Sequence, residues 1–531
     1  MINEFVNYDT KINELPSEYA DRLGVLYDIN KDSKKKKSEG QYFTPLEIAK
    51  LMASFAAIRK ESIKILDPGC GTAILACALV EYILKQNYGI KNIELILYEI
   101  DLDILYLTNK VLNYLREWIS DKGINLQYSV IEKDFILENS GTFFKNSEMK
   151  NYDIIISNPP YFKLRKNDER VLNTQTLVSG QTNIYSLFLG LASKLLKEDG
   201  ELIFITPRSF ASGEYFKAFR KYFFSTVKIE KIHLFHSRKD AFSRNKVLQE
   251  MIIIKASKPL IKNNYKISIS SSNGVTDISD LKSKRFTSNE LIDFDSKSKI
   301  LHLPTSQFEE RILTLVSSWK EQLINFHIQI STGKVVSFRA SRFIQKTYSE
   351  GSASISPLFW LNNIDKMLLK WPLELPNKGQ YIQNERESFS LLIPNKTYIF
   401  LRRFSTKDDI SRLIAAPYFC NFMLSDYIGV ENKVNYLYKI DGQLSREETI
   451  GLCALLNSEI YDTYFKIING NINVSATELR EMKFPPLNII IDIGKSIIIS
   501  NDYSVENINR LINKVLILEN NQYKNRYGKI N

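Results

Sequence analysis

The sequence predicts an α/β fold, a mostly parallel sheet with helices on both faces, followed by a separate α+β domain. Three observations predict it. Short apolar runs alternate with stretches of helical periodicity between residues 63 and 255, and strands this apolar belong in a sheet covered on both sides. One such run ends in a glycine-rich turn that opens a helix, the kind of junction that parallel crossovers use. Over residues 257–288 Ser, Asn, Asp and Lys take over and the alternation stops, which places a domain boundary near 258.

In chain order, residues 1–37 form an N-terminal extension leading into a lysine-heavy exposed loop at 31–40 (KDSKKKKSEG). Strands follow at 63–66, 93–98, 154–157 and 201–206, with helices at 73–85, 102–118 and 185–196. A third strand region precedes Asp134, and a β-rich run at 247–255 closes the series. The domains are then 1–37, 38–258 and 259–531. Beyond 258 the pattern is irregular, with short β-like runs between Arg/Lys clusters, until apolar spacing at 505–518 predicts a helix.

The bulk chemistry narrows the function classes. With 531 residues, 44% of them hydrophobic, the chain has enough apolar material for more than one core. A formal charge of +11 favours a polyanionic partner, nucleic acid before an anionic membrane surface, although lysine-rich proteins without such a partner are also basic. The four cysteines, Cys70, Cys77, Cys420 and Cys453, form no CxxC pair, and the four histidines make no ligand cluster, so neither a disulfide framework nor a metal site is expected. No secretory pattern or membrane-length apolar stretch is visible, which points to the reducing cytoplasm and no membrane.

Three strand ends carry a ligand pattern. Ile65-Leu66-Asp67-Pro68-Gly69-Cys70-Gly71-Thr72 lets backbone approach a ligand at the glycines and presents free N–H groups at the helix start. Glu99 ends the next strand, where a carboxylate can accept from both hydroxyls of a ribose. Asp134-Phe135 ends the third, with a carboxylate for an adenine amine and a ring to stack on the base. A plain tight turn and a core aromatic are the ordinary alternatives for the glycines and for Phe135. The full GxGxxG spacing is absent and no GKS or GKT follows the glycines, which speaks against nicotinamide and phosphate-loop chemistry.

Asp153-Ile154-Ile155-Ile156-Ser157-Asn158-Pro159-Pro160-Tyr161-Phe162 is the most informative stretch. Two prolines stop the strand and rigidify the turn, fixing an amide, a carbonyl and an aromatic plane together. Asn158 Oδ1 and the Pro159 carbonyl can bind both hydrogens of an exocyclic amine, freeing its lone pair from the ring, while Tyr161 stacks on the base. A merely rigid turn is the alternative.

In this order the motifs resemble the N6-adenine-specific DNA methyltransferases of type II restriction–modification systems, gamma class. Gly40-Gln41-Tyr42-Phe43-Thr44-Pro45 resembles the family's N-terminal cofactor motif, and Ala241-Phe242-Ser243-Arg244-Asn245-Lys246-Val247 its late motif, whose Phe packs on a flipped base. The resemblance implies a Rossmann-like S-adenosyl-L-methionine-dependent domain over 38–258 and a DNA target-recognition domain over 259–531. It implies cofactor contacts from Tyr42, Thr44, Asp67, Gly69, Gly71, Glu99, Ile100, Asp134, Phe135 and Asn158, catalysis by Asn158, Pro159 and Tyr161, and base stacking by Tyr161 and Phe242. The reaction implied is site-specific methylation of adenine N6 in double-stranded DNA, by a monomer on DNA. It would protect host DNA from a separate cognate endonuclease or serve as an orphan methylase.

A base inside a duplex must be flipped out to reach such a pocket, and some part of the chain must choose the site. Arg339, Arg402, Arg403, Lys407, Asn432, Asn435, Asn471 and Asn473 are the candidate DNA contacts, from residue types that fork onto guanine, pair with adenine or clamp phosphate. Residues 469–474 (NGNINV) resemble the end of the family's recognition domain. The rival readings are N4-cytosine methylation, methylation of an RNA base or a protein glutamine, and a non-catalytic DNA-binding modification subunit.

Overall fold

The structure, a computed structural model, describes residues 8–30, 42–86, 89–143, 151–178, 180–236, 250–258, 264–278, 281–346, 355–376, 378–405, 411–469 and 473–527. The chain divides into two compact units, Met1–Thr305 and Ser306–Asn531.

Unit 1 is built on a nine-stranded sheet in the order β3-β2-β1-β4-β5-β7-β6-β8-β9. Its strands are β1 (Ser62–Pro68), β2 (Asn92–Tyr98), β3 (Asn125–Ile131), β4 (Tyr152–Ser157), β5 (Leu196–Pro207), β6 (Lys228–Phe235), β7 (Met251–Ser257), β8 (Lys266–Ser272) and β9 (Ser283–Thr287). The first five are parallel, and β7 enters antiparallel between β5 and β6. β4 is buried along its whole length, the consequence of the run Ile154-Ile155-Ile156 at the centre of a doubly covered sheet.

The helices form two groups. α1 (Pro16–Asn30), α2 (Leu46–Ala53), α3 (Ile74–Lys85) and α4 (Leu102–Ser120) pack on one another, and α5 (Phe135–Asn139), α6 (Ile184–Leu195) and α7 (Lys217–Thr226) make the second group. Crossovers from β1 to β2 and β3 run one way along the sheet and those from β4 to β5 the other. Right-handed connections then put their helices on opposite faces and open a crevice between the ends of β1 and β4. Asp153 anchors the start of β4. Its carboxylate is 2% exposed and bound by Lys60 Nζ at 2.7 Å, Lys197 Nζ at 2.8 Å and the Lys64 N–H at 2.9 Å. Burial alone would raise its pKa; the two ammoniums and the amide reverse that and hold it below the usual carboxylate range.

Two expectations shift. The sheet does not stop at 258: β8 and β9 extend it, so the first unit closes at Thr305. β8 reads KISISSS and shows the interior little besides Ile267 and Ile269, which is why it passes for a polar linker. Nor do residues 1–37 stand apart, because α1 buries Tyr19, Ala20 and Leu23 in the core beside α3 and α4. The loop expected at 31–40 lies outside the described residues.

Unit 2 holds a four-stranded antiparallel sheet in the order Ile328–Thr332, Val434–Lys439, Tyr398–Arg402, Ala415–Tyr418 and a five-stranded mixed sheet. Its apolar interior is aromatic, with Phe359, Tyr398, Phe400 and Tyr418 in mutual contact. Helices Arg446–Asn457 and Leu487–Ser500 touch backbone to backbone through a glycine pair. A Cβ on Gly451 would stand 1.9 Å from the Ile490 carbonyl oxygen, and one on Gly494 2.1 Å from that of Glu447. The helix expected at 505–518 spans Val505–Tyr527. Among the described residues no helix is long and apolar enough to cross a membrane.

His233 gives the fold a pH signature. It is fully buried on β6, with Nδ1 3.0 Å from Ser270 Oγ and Nε2 2.9 Å from Ser272 Oγ on β8. Burial, opposed in part by Asp277, pushes its pKa down to about 4. An unfolded chain protonates this ring near pH ~6.5 and the folded one refuses the proton. Stability is therefore unaffected above that pH, falls as pH drops from ~6.5 toward 4, and levels off below, by at most about 3 kcal/mol. Urea midpoints between pH 7.5 and 5 should fall less steeply for His233→Gln than for the parent chain; equal slopes would refute the assignment.

Candidate active site

At the end of β1 the chain turns through Gly69 (φ +85) and Gly71 (φ +54). The N–H groups of Gly69 and Cys70 both donate to the Tyr98 carbonyl at 2.9 Å, tying the turn to the end of β2. A Cβ on Gly71 would meet the Phe43 ring at 3.3 Å on a backbone that L side chains rarely adopt, so glycine is required twice over. α3 then starts from Ala73 without a side-chain cap, on a left-handed backbone (φ 64) that costs an alanine roughly 1–2 kcal/mol.

Glu99 at the end of β2 is 6% exposed and holds the turn electrostatically. Its Oε2 accepts the Gly71 N–H at 2.9 Å, and Oε1 accepts those of Ile100 and Asp101, each at 2.9 Å. Burial raises its pKa against these three donors. Two carboxylate oxygens have about four acceptor directions. Three are taken by the chain itself. Asp134 caps α5, with Oδ1 accepting from Ile136 and Leu137 at 2.8 and 3.0 Å and Oδ2 3.5 Å from Arg170 Nη1. Phe135 is 2% exposed, its ring against Tyr98 and Phe188.

Asn158 sits where β4 ends. Ser157 Oγ donates to the Pro68 carbonyl at 2.8 Å and fixes that end beside β1. Both N–H groups of the Asn158 amide are taken, by the Tyr42 carbonyl at 3.0 Å and Thr44 Oγ1 at 2.9 Å. Its Oδ1 accepts from the Tyr161 hydroxyl, which also lies 3.0 Å from the Ile205 carbonyl. Burial pushes the Tyr161 phenol well above its ordinary pKa, so it stays a donor at neutral pH. The ring itself is half-buried, stacked at 6.0 Å on Tyr42 and edge-on to Tyr185.

A cavity of about 620 Å³ opens among these groups, and Tyr161 is not among the residues that line it. Of the expected cofactor residues, Tyr42, Thr44, Gly69, Gly71, Glu99, Ile100, Asp134, Phe135 and Asn158 line it, and so does Pro159. Asp67 does not: it is 1% exposed, and neither carboxylate oxygen meets a donor among the described residues. Burial, then the nearby Glu99, drives its pKa well up. The sequence reading missed Phe43, Phe162, Arg170, Ile184 and Phe188 on the walls. Ile184 and Phe188 lie on a helix that is apolar all round, where nothing in the spacing separates wall from core. Phe242, Gly40 and Gln41 lie outside the described residues. No group of three or more His, Cys, Asp or Glu among the described residues is placed to hold a metal ion.

In unit 2 four of the expected DNA contacts come together. Asn432 N–H donates to the Val335 carbonyl, Arg403 N–H to that of Lys433, and Val474 N–H to that of Arg403, at 2.9, 2.9 and 2.8 Å. The turns carrying Arg339, Asn432, Arg403 and Asn473 are thereby neighbours. Arg339 is exposed beside Phe338, which is 75% exposed and has the guanidinium 5.3 Å from its ring centre. Arg402 turns inward, its Nε donating to the Ile364 carbonyl at 2.7 Å. Asn435 is a correction. It is fully buried, donates to the Val474 carbonyl and accepts from Thr332 Oγ1, both at 2.9 Å, and so braces strands instead of meeting bases. Lys407 and Asn471 lie outside the described residues.

The chain resembles known proteins over most of its length. Residues 80–242 match the family described as Eco57I restriction-modification methylase. The chain is 32% identical to the type II methyltransferase M.BsuBI of Bacillus subtilis over 91% of its own length and 94% of that protein's. It is 30% identical to M.PstI of Providencia stuartii over 90% and 93%. The type IIL restriction–modification enzyme MmeI, solved in complex with DNA, shares the fold at a TM-score of 0.59 and 13% identity, over 96% of this chain and 79% of that one. The bare glycine turn, the uncapped start of α3 and the spare acceptor on Glu99 suit S-adenosylmethionine, with its carboxylate, ribose and adenine. A likeness that runs at this identity through both units leaves one assignment: the chain belongs to the type II methyltransferases of restriction–modification systems, and is a DNA methyltransferase with S-adenosylmethionine as its cofactor.

Proposed function

We propose that the chain methylates N6 of an adenine flipped out of double-stranded DNA at one recognition sequence. The observation that carries this reading is the Asn158 amide. With both N–H groups held by Tyr42 and Thr44, it faces the cavity as an acceptor. The Pro159 carbonyl is the second acceptor. Together they take the two hydrogens of an exocyclic amine and draw its nitrogen toward tetrahedral geometry, which releases the lone pair from the ring. The Tyr161 ring, anchored at its hydroxyl by Asn158 and Ile205, stacks on the base. S-adenosylmethionine, when bound, supplies an electrophilic sulfonium methyl. Glu99 would hold its ribose, Ile100, Asp134 and Phe135 its adenine, and the free N–H groups of α3 its carboxylate. Cytosine N4 presents the same two hydrogens; Asn at 158 favours adenine, since enzymes of the cytosine type more often carry Ser or Asp there.

Unit 1 is then the methyltransferase domain and unit 2 the target-recognition domain, with Arg339, Arg403, Asn432 and Asn473 on its DNA side. The chain works as a monomer in the cytoplasm, protecting host DNA from a separate endonuclease or acting alone.

Expressed in a host that lacks adenine methylation, the chain should leave N6-methyladenine confined to one sequence motif by single-molecule sequencing. Asn158→Ala should abolish the signal, and modified cytosine, or no modified base, would overturn the adenine reading. DNA affinity should fall steeply with salt, with Arg339→Ala and Arg403→Ala each lowering the log–log slope by roughly 1 if they meet phosphate. A slope near zero for the parent chain would count against a phosphate-binding face.

A further inference from the structure

The segment before β1 does more than border the cavity. A backbone carbonyl has no hydrogen to give, so the Asn158 amide must turn its nitrogen, not its oxygen, toward Tyr42 at 3.0 Å. Thr44 Oγ1, on a residue 4% exposed, takes the other N–H at 2.9 Å. The amide is pinned at two points and cannot rotate by half a turn without setting its oxygen against the Tyr42 carbonyl oxygen. What remains for a substrate is Oδ1, one of whose two acceptor directions already takes the Tyr161 hydroxyl. An amide that presents only its oxygen binds a group with hydrogens to donate, and repels a base edge that presents a ring carbonyl oxygen.

We propose that Thr44 is a positioning residue: it locks the Asn158 amide with its acceptor outward and so makes the site selective for amine-bearing bases over those with an exocyclic oxygen. The inference rests on the reading that Asn158 binds the reacting amine, and it gives Thr44 a task distinct from touching the cofactor, whose cavity it also lines.

The test uses the full chain as Thr44→Val, which keeps the shape and removes the acceptor, and Thr44→Ser, which keeps the acceptor. At saturating cofactor, Thr44→Val should lower kcat about tenfold, the scale of one lost hydrogen bond. KM for DNA and the dissociation constant of S-adenosylmethionine, measured by calorimetry, should stay within about twofold by the same reasoning. Thr44→Ser should recover most of the loss. A readout that needs no turnover is the side-chain NH2 signal of Asn158 in nitrogen-15 spectra, identified by its absence in Asn158→Asp. Both hydrogens should be protected from exchange in the parent chain, and one should lose protection in Thr44→Val.

A fall in cofactor affinity with kcat unchanged would make Thr44 a cofactor contact and overturn the proposal. Serine as damaging as valine would make its role packing, with the same consequence, and so would unaltered exchange at Asn158. Nucleoside analysis of the product separates this from the function proposed above. Methylated cytosine N4 would sink the adenine reading and leave the amide lock standing, whereas wild-type turnover in Thr44→Val would sink the lock and leave adenine standing. Were no base methylated, the exchange measurement alone would decide for or against the lock.

Discussion

The active end of unit 1 depends on β1 and β4 lying side by side while their crossovers leave in opposite directions. Nothing in the sheet can fill the gap above that pair, because right-handed connections carry α3 and α6 to different faces. The chain holds the two strand ends in place with hydrogen bonds: Ser157 Oγ donates to the Pro68 carbonyl, and the Gly69 and Cys70 amides fold back on Tyr98. Glycine turn, carboxylate and amide motif are thus three consequences of one topological reversal.

Three buried carboxylates in this unit show how burial is handled differently by task. Asp153, away from the crevice, is bound by two lysines and stays ionised below the usual range, which secures β4. Glu99 is met by three backbone N–H groups, which leave about one of its acceptor directions open beside the cavity. Asp67 receives no donor from the described residues, and burial raises its pKa well above the ordinary value. Burial without a donor favours the neutral form of a carboxyl.

Much of this was legible in the sequence, for a physical reason in each case. A strand such as Ile154-Ile155-Ile156 is apolar on both faces because both faces are covered, and that pattern is hard to mistake. The motifs at the strand ends were legible because glycine, carboxylate and proline interrupt an apolar run there. The polar strand β8 was not, since it alternates only Ile267 and Ile269 with serines and its other side needs no apolar cover. Nor were the cavity walls, because Phe188 on an all-round apolar helix carries the same signal whether it faces a ligand or a core. Asn435 shows the converse limit. A polar residue between Arg/Lys clusters reads as a surface contact, yet its amide is spent bridging Thr332 and Val474 inside the fold.

The same geometry explains why position 158 is an amide and not a carboxylate, although a carboxylate would bind an amine's hydrogens more strongly. The side chain at 158 lies within hydrogen-bonding distance of the Tyr42 carbonyl and Thr44 Oγ1. The carbonyl can only accept. Aspartate would set a charged oxygen against it in a half-buried site, an arrangement tolerable only if the acid took up a proton to donate. It would then offer one donor where asparagine offers two, and Thr44 would have to turn its own hydrogen around. Asparagine alone satisfies both inner contacts and still turns a neutral acceptor outward at every pH the protein meets. The preference for asparagine is thus written as much in the segment before β1 as in the motif that carries it.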